Sequence, residues 1–164
     1  MMANEDKKDF NAMLRDGKGM PRIQEITDGS SIEKYGGSRM LLAPPLDYDG
    51  LMRKIPAGRI ATVGDLRKTL SKRYGADFTD PITAGIFCSI AAWASAQRTE
   101  DETPWWRTLK AQGELNAKYP GGIEKQKALL ESEGHTVLVR GRANKRYFVK
   151  DYESKRFPLE EEKP

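Results

Sequence analysis

Very few side chains in this sequence have the chemistry of a catalytic or metal-binding site. Cys88 is the only cysteine and His135 the only histidine of the 164 residues. One cysteine forms neither an intramolecular disulfide nor a cysteine-based zinc cluster, and one histidine argues against a histidine-rich metal site or a Ser/His/Asp triad. Cys88 lies in an apolar helical run, which predicts a buried and inert thiol. We expect His135 to cap a helix end or to lie on the surface, so the sequence predicts no catalytic residue, bound metal or cofactor.

Two adjacent tryptophans form the most distinctive short motif, Pro104-Trp105-Trp106-Arg107. They follow an apolar helix and a loop of charged residues. Tryptophan is costly to expose and usually buries its ring, so the pair must pack in the core or line a pocket. Two interpretations are open: the rings fill the interior, or one of them offers a face on which an extruded base stacks. The planar guanidinium of Arg107 either holds this loop or meets a phosphate or an acidic group of a ligand.

Basic residues are grouped in two parts of the chain, although the formal net charge is only +4. The two groups are Arg53, Lys54, Arg59, Arg67, Lys68, Lys72 and Arg73, and then Arg140, Arg142, Lys145, Arg146 and Lys150. A basic cluster often marks only a solvated face, but two clusters on a helix pair and a following hairpin fit a surface that follows a phosphate backbone. Thr83 and Ser89, on the helix between the two groups, are small enough to approach a DNA groove but read little sequence.

The local patterns predict a mainly α fold that ends in a small β-hairpin. Thr62 is placed to cap a helix over residues 63–73, and Asp80 with the following proline opens a second helix that runs to about residue 96. Earlier, Asp47 is expected to cap a helix that ends near Lys54. A third helix and two β-type runs follow at residues 123–133, 136–139 and 146–149. Two helices joined by a short turn and followed by a hairpin indicate a winged helix-turn-helix DNA-binding domain.

The second helix of this pair carries large apolar side chains at helical spacing. They are Ile82, Ile86, Ile90 and Trp93. Such a stripe predicts that the helix is largely buried.

We expect one main domain over residues 40–156. Residues 1–39 have too few apolar side chains for a core of their own, so they form either a loosely ordered arm or a wrap over the main domain, with short helices over 5–15 and 30–35. Residues 157–164 resemble an acidic tail, which we expect to be disordered from Leu159 onwards. The charged start and the lack of a run of roughly 18 apolar residues predict a cytoplasmic protein without a membrane anchor, and we expect a monomer.

Taken in order, these motifs resemble the DNA-binding domain of the methylated-DNA–protein cysteine methyltransferases and their alkyltransferase-like relatives. The family carries Ile-Pro-x-Gly, then Thr-Tyr-Gly-Asp, and then Pro-Cys-His-Arg at its active site. The corresponding segments here are Ile55-Pro56-Ala57-Gly58, Thr62-Val63-Gly64-Asp65 and Pro104-Trp105-Trp106-Arg107. The later matches are Ala84-Gly85, Gly113, Gly121-Gly122, Gln126, Leu129-Leu130 and Glu133-Gly134. The resemblance spans about residues 40–140.

The departures from the family pattern change the function that the resemblance implies. The alkyl-accepting cysteine falls on Trp105 and its neighbouring histidine on Trp106, and an indole does not replace an activated thiolate. The tyrosine that rotates the damaged nucleotide falls on Val63, and the arginine that fills the gap in the base stack falls on Ile82. The resemblance therefore implies a non-catalytic protein that recognises damaged or alkylated DNA in DNA repair.

The implied sites are a base pocket and a DNA-binding surface. The pocket residues are Pro104, Trp105, Trp106, Arg107 and Glu133, and the DNA-binding residues are Thr62, Arg67, Lys68, Thr83, Ser89, Arg142 and Lys145. The expected partners are DNA and a repair protein. Two alternatives remain open: a scaffold that binds a protein or small ligand through the tryptophan pocket, and an enzyme that uses Cys88 as its acceptor.

Overall fold

The computed structural model describes residues 8–159, which form seven α-helices and seven short strands. The helices are α1 Phe10–Arg15, α2 Gly29–Tyr35, α3 Pro45–Met52, α4 Val63–Tyr74, α5 Pro81–Gln97, α6 Gly122–Ser132 and α7 Tyr152–Lys155. The strands are β1 Arg22–Glu25, β2 Arg39–Leu42, β3 Ala61–Thr62, β4 Phe78–Thr79, β5 Thr108–Leu109, β6 Val137–Arg140 and β7 Arg146–Val149. No helix in this range is long and apolar enough to cross a membrane.

The strands form three small sheets. In the first, β2 pairs antiparallel with β1 and parallel with β4, with Ile23 opposite Leu41. In the second, β3 pairs parallel with β5, so that Thr62 lies opposite Leu109. The predicted hairpin is confirmed as β6 and β7, which pair antiparallel with Leu138 opposite Phe148. The short β3–β5 pair joins the start of α4 to the segment that carries the tryptophans.

The two central helices begin at the predicted residues because each has a local N-cap. Thr62 accepts a hydrogen bond from the backbone N–H of Asp65, and the Asp65 carboxylate accepts one from the N–H of Thr62, which completes a capping box. Asp80 accepts bonds from the backbone N–H groups of Ile82 and Thr83 at the start of α5. Both predicted helix starts are therefore confirmed. They could be predicted because the capping partners lie within four residues of each other in the sequence.

Two of the predicted local features are wrong. Asp47 does not cap α3; Pro44 occupies that position, and the Asp47 carboxylate instead accepts a hydrogen bond from Tyr74 Oη. Residues 76–80, expected to form only a turn, contain strand β4, which pairs with β2. A strand of two residues is too short to show an alternation of apolar and polar side chains. It forms because it pairs with β2, some 38 positions earlier in the chain.

The core lies between α3, α4 and α5, and α5 is oriented differently from the prediction. Small residues and Phe87 face inward, and the buried set on α5 is Ala84, Phe87, Cys88, Ile90, Ala91, Ala92, Ala94 and Ser95. Ile82 and Ile86 point outward and are 72% and 52% exposed. The expected burial of this stripe is therefore wrong for Ile82 and Ile86 and confirmed for Ile90. Close packing of α5 against α3 selects mainly small side chains for the inner face.

Residues 8–39 wrap over the main domain. Phe10 and Leu14 of α1 are buried in the same core cluster as α5. The backbone N–H of Phe10 donates to Gln97 Oε1 (3.0 Å), and Asn11 Nδ2 donates to the carbonyl of Ala94 (3.0 Å). The predicted helices over 5–15 and 30–35 correspond to α1 and α2, although residues 5–7 lie outside the described residues.

The C-terminal segment also packs on the main domain. The backbone N–H of Ile60 donates to the carbonyl of Lys155 (3.0 Å), and the N–H of Phe157 donates to the carbonyl of Ile60 (2.7 Å). Leu159, expected to begin a disordered tail, is buried in the core, so that expectation is wrong at this residue. The remainder of the predicted tail, residues 160–164, lies outside the described residues.

Candidate nucleic-acid interface

A groove of about 800 Å³ runs along the outward face of α5. Its floor consists of α5 residues, namely Pro81, Ile82, Gly85, Ile86, Ser89, Ile90 and Trp93. The two most exposed large apolar side chains of this floor, Ile82 and Ile86, lie one helical turn apart. An exposed apolar face of this kind on a protein surface usually marks a binding site.

The charged residues that line the groove are all basic. They are Lys8, Arg67, Lys110, Lys118 and Arg156, and no Asp or Glu lies among the described lining residues. Lys110 lies 3.8 Å from the carboxylate of Glu114, and Arg156 bonds to Asp65. Those two cations are therefore offset by nearby carboxylates, and the positive charge that attracts an anionic ligand comes mainly from Lys8, Arg67 and Lys118.

The N-terminus of α4 forms one wall of the groove, with Thr62, Val63, Gly64 and Arg67. Thr62 was predicted to contact DNA, but its hydroxyl oxygen is used as the helix cap and the residue is buried. Burial raises the pKa of the neighbouring Asp65, but hydrogen bonds from Arg156 and Thr62 outweigh it and hold this pKa below its usual value. Asp65 is thus a charged residue that joins α4 to the C-terminal segment.

Helix α1 forms a second wall, with Phe10 and Met13 beside Lys8. The Phe10 ring stacks on Trp93, with ring centroids 5.7 Å apart and planes 26° apart. Trp93 Nε1 donates to the carbonyl of Lys118 (2.9 Å), which holds the loop after β5 against the end of α5. The groove is therefore closed at this end by a stacked aromatic pair.

The third wall is formed by the loop after β5 and by α7, with Ala111, Gln112 and Tyr152. Gly113 has φ of +82°, and a Cβ built there would lie 2.7 Å from Cβ and Cγ of Tyr152. Only glycine allows this backbone conformation and this close approach without strain. The loop and the tyrosine consequently pack as one surface.

Trp105 and Trp106 do not line the groove. They are 2% and 7% exposed, and their rings meet edge to face at a centroid distance of 5.6 Å. Trp105 also meets the buried Tyr119 ring at 5.5 Å, and the Trp106 carbonyl accepts a hydrogen bond from Gln126 Nε2 (3.1 Å). Of the two interpretations that the sequence left open, the structure favours core filling for both rings.

Arg107 and Glu133 hold the tryptophan segment in place. Arg107 Nε donates to Glu133 Oε1 (3.0 Å), and Arg107 Nη1 donates to the carbonyl of Ile55 (2.8 Å). The guanidinium also lies over the Trp106 ring, 5.2 Å from its centroid. Burial raises the pKa of Glu133, but the hydrogen bonds from Arg107 outweigh it, and this pKa lies below its usual value. These two predicted pocket residues, together with the partly exposed Pro104, support the loop and do not line the groove.

The other predicted DNA-binding residues fall into two groups. Arg67 and Ser89 line the groove. Thr83 and Lys68 lie outside the lining, with the hydroxyl oxygen of Thr83 buried and without a partner among the described residues. Both residues predicted on the hairpin, Arg142 and Lys145, are exposed in the turn between β6 and β7.

Two other arginines of the first basic group have structural partners. Arg53 Nε donates to Asp49 (2.7 Å) and its Nη1 to Asp101 (2.6 Å). Arg59 Nε donates to the carbonyl of Lys155 (3.0 Å). Part of the predicted phosphate-contacting surface is therefore occupied by contacts within the protein.

The single cysteine and the single histidine are both buried. Burial raises the pKa of Cys88 to about 12, so the thiol is protonated at neutral pH, as expected for an inert core residue. The expected capping role of His135 is met by its backbone, since its N–H donates to the carbonyl of Leu130 in the last turn of α6 (3.1 Å). The expectation of a surface position is wrong, because the His135 ring is buried with no hydrogen-bond partner in the described range. Burial lowers its pKa and favours the neutral ring. The part of the chain that the structure describes contains no cluster of potential metal ligands.

Sequence reasoning missed several residues of the groove. They are Lys8, Phe10, Met13, Lys110, Ala111, Gln112, Lys118, Tyr152 and Arg156. The one signal in the sequence was the composition of α5, which is apolar on all sides. Such a helix is expected to be covered on its outward side as well as on its core side, so it indicates a binding surface. No local pattern identifies which distant segments form the walls.

Comparison with known proteins places this architecture. The model of the 6-O-methylguanine DNA methyltransferase DNA-binding domain matches residues 50–135, which is more than half of the chain. No curated protein gives a significant match. S. pombe Atl1, solved in complex with damaged DNA containing O6-carboxymethylguanine, is similar in structure with a TM-score of 0.47 and 18% identity over 69% of this chain and 93% of that one. A second structure, S. pombe ATL in complex with DNA, has a TM-score of 0.46 and 20% identity with the same coverage. The extent of the domain match assigns the chain to the family defined by the 6-O-methylguanine DNA methyltransferase DNA-binding domain.

Proposed function

We propose that this protein is a non-catalytic, alkyltransferase-like protein that binds DNA and recognises damaged or alkylated bases in DNA repair. The observation that carries this proposal is the groove on α5, which combines an apolar floor with exclusively basic charged residues. Duplex DNA offers the complementary surface, since its phosphates are negative and its bases are flat and largely apolar on their faces.

Helix α5 is the element that enters a DNA groove in this proposal. Ile82, in its first turn, is the most exposed large apolar side chain of the described residues, and Gly85 and Ser89 are small enough to let the helix approach closely. An isoleucine at the tip cannot read base edges by hydrogen bonding, but an apolar wedge inserts between base pairs and unstacks them. A site that acts by unstacking favours DNA whose pairing is already weakened by damage.

The phosphates of the same DNA are placed against the groove rim and the hairpin. Arg67 and Lys118 stand at the rim, and Arg142 and Lys145 extend from the hairpin turn. In this arrangement α4 and α5 act as a helix-turn-helix and β6 and β7 as its wing, within a main domain over residues 40–156. These contacts supply affinity and orientation and little sequence preference.

We infer recognition without alkyl transfer from the residue at the position of the family's acceptor cysteine and from the state of the single thiol. Trp105 is buried there, and Cys88 is protonated inside the core, so neither offers a thiolate to an alkyl group. A protein that marks a lesion without repairing it needs a partner that repairs it, and we propose a repair protein as that partner. A ligand pocket between the tryptophans is not favoured, because both rings are buried.

The proposal is tested by titrating labelled duplexes, one with O6-methylguanine and one with guanine at the same position, at two salt concentrations. We expect tighter binding of the modified duplex and an affinity that falls steeply with salt, since bound cations displace counterions. Arg67→Ala should weaken binding of both duplexes, whereas Arg22→Ala, an exposed arginine on β1 outside the groove lining, should not. Equal affinity for the two duplexes would refute the recognition of damage. A dissociation constant above about 0.1 mM for both duplexes would refute DNA binding itself.

A further inference from the structure

We propose that Tyr152, from the C-terminal helix, provides the aromatic face against which the modified guanine stacks in the α5 groove. This inference rests on the proposed function and names a residue of the same site. Tyr152 lies outside residues 50–135, the part of the chain that matches the family domain. The assignment is based on its fixed position, on the lack of an aromatic partner for its ring within residues 8–159, and on the composition of the groove that it lines.

The backbone around Tyr152 is held firmly against the start of α4. Arg156 Nε donates to the Asp65 carboxylate (3.2 Å), and Arg156 Nη1 donates to Glu153 (3.0 Å). The carbonyl of Lys155 accepts the backbone N–H of Ile60 (3.0 Å), just before β3. Because these bonds flank α7 on its C-terminal side, the tyrosine is held at the groove, which Val63 also lines, before any ligand arrives.

The Tyr152 ring is available for stacking. Three aromatic side chains line the groove, and two of them, Phe10 and Trp93, already stack on each other. Tyr152 stacks on no aromatic ring and meets no cation over its face within residues 8–159. It packs against the backbone of Gly113 and against the core, and it remains half-buried. It is the one groove aromatic in the described range whose ring has no aromatic partner.

The other side chains of the groove that Tyr152 lines suit a nucleobase. Val63, Ile82 and Ile86 line the same groove and offer apolar contact to a flat ring. Basic side chains surround this apolar part and suit the phosphates attached to the base. Stacking of one base on an aromatic side chain corresponds to roughly five- to 150-fold in affinity, and it requires the ring and not the hydroxyl.

The test is a cycle that pairs a protein change with a DNA change. Wild-type protein, Tyr152→Leu and Tyr152→Phe are titrated with a duplex containing O6-methylguanine and with a duplex containing an abasic analogue at that position. Tyr152→Leu should weaken binding of the O6-methylguanine duplex about tenfold or more and leave binding of the abasic duplex within twofold. Tyr152→Phe should bind both duplexes like the wild type. The salt dependence should be the same for all three proteins, because stacking releases no counterions.

The outcomes separate this inference from the proposed function. Equal losses on both duplexes would mean that Tyr152 supports the fold or contacts the backbone, and would overturn the inference. A loss with Tyr152→Phe equal to that with Tyr152→Leu would replace stacking by a contact of the hydroxyl, and would also overturn it. If the wild-type protein binds the modified duplex but no Tyr152 variant changes its affinity, only the inference fails. If the wild-type protein binds neither duplex, both fail. Melting temperatures of the three proteins identify any variant that is not folded, and Tyr152→Trp then keeps a stacking face for the same comparison.

Discussion

Replacement of Trp105 by alanine separates core filling from ligand binding. The indole is 2% exposed and meets the rings of Trp106 and Tyr119 edge to face at 5.6 Å and 5.5 Å. Removing a buried tryptophan costs about 3–5 kcal/mol, because the lost burial is combined with the cavity left behind. For a protein of this length, that loss corresponds to a decrease in the melting temperature of roughly 6–20 °C.

The assay measures stability and binding on the same variant. Unfolding in urea is followed by far-ultraviolet circular dichroism, because loss of one tryptophan changes the fluorescence signal. DNA affinity is then measured below the midpoint of thermal unfolding and corrected for the folded fraction. We expect a large loss in the free energy of unfolding and an unchanged affinity of the folded protein, since Trp105 does not line the groove.

Trp93→Phe is the matched control for this change. It is a control for stability only, since Trp93 lines the groove. The variant keeps an aromatic ring against Phe10, and it loses part of the indole and the hydrogen bond to Lys118, which itself corresponds to about 1 kcal/mol. A loss of less than about 1 kcal/mol for Trp105→Ala, together with a tenfold decrease in affinity, would refute core filling and restore the tryptophan pocket.

Three further predictions concern the thiol, the basic residues and the half-buried Arg107–Glu133 ion pair. Incubation with methylated DNA should give no gain in protein mass, because the Cys88 thiol is protonated in the core, and a gain of one methyl group would contradict this. Cys88→Ser should lower the free energy of unfolding by about 1–3 kcal/mol without changing DNA affinity, because it places a hydroxyl in an apolar interior. The pairs Arg67→Ala with Lys68→Ala, and Arg142→Ala with Lys145→Ala, should each flatten the dependence of log affinity on log salt by roughly one unit per lost phosphate contact, and unchanged slopes would exclude these residues from the interface. Glu133→Gln should destabilise the protein by about 2 kcal/mol at pH 7. The pKa of Glu133 is lower in the folded state than its usual 4.5, so its contribution to stability is present above pH 4.5 and is lost as the pH falls through the folded value. The difference in urea stability between wild type and Glu133→Gln should therefore shrink below about pH 4.5. A difference that stays constant with pH would argue against the ion pair.

The parts of the fold that the sequence predicted depend on contacts between near neighbours. The starts of α4 and α5 are determined by Thr62 with Asp65, and by Asp80 with the proline that follows it. A hairpin likewise joins strands that are adjacent in the chain. Such signals lie within a few residues, where residue type and spacing are informative.

The parts that the sequence did not predict depend on packing across long separations. The apolar stripe of α5 correctly indicated a helix, but it did not indicate which side faces the core, since Ala84 and Cys88 compete with Ile82 and Ile86 for that side. Two of the groove walls depend on α1 and α7, which precede and follow the family domain. The role of Trp105 could not be read from its position in a motif, because burial depends on Tyr119 and on neighbours elsewhere in the chain.

The docking of α1 on α5 has a consequence for the newly synthesised chain. Phe10 and Gln97, which hydrogen-bond in the folded protein, are 87 residues apart. At about 5–20 residues per second, the ribosome adds Gln97 between roughly 4 and 17 s after Phe10. During that interval the apolar side chains of Phe10, Met13 and Leu14 have no native partner on α5, so this segment is open to chaperones. A stall in translation anywhere between the two residues would prolong that exposure.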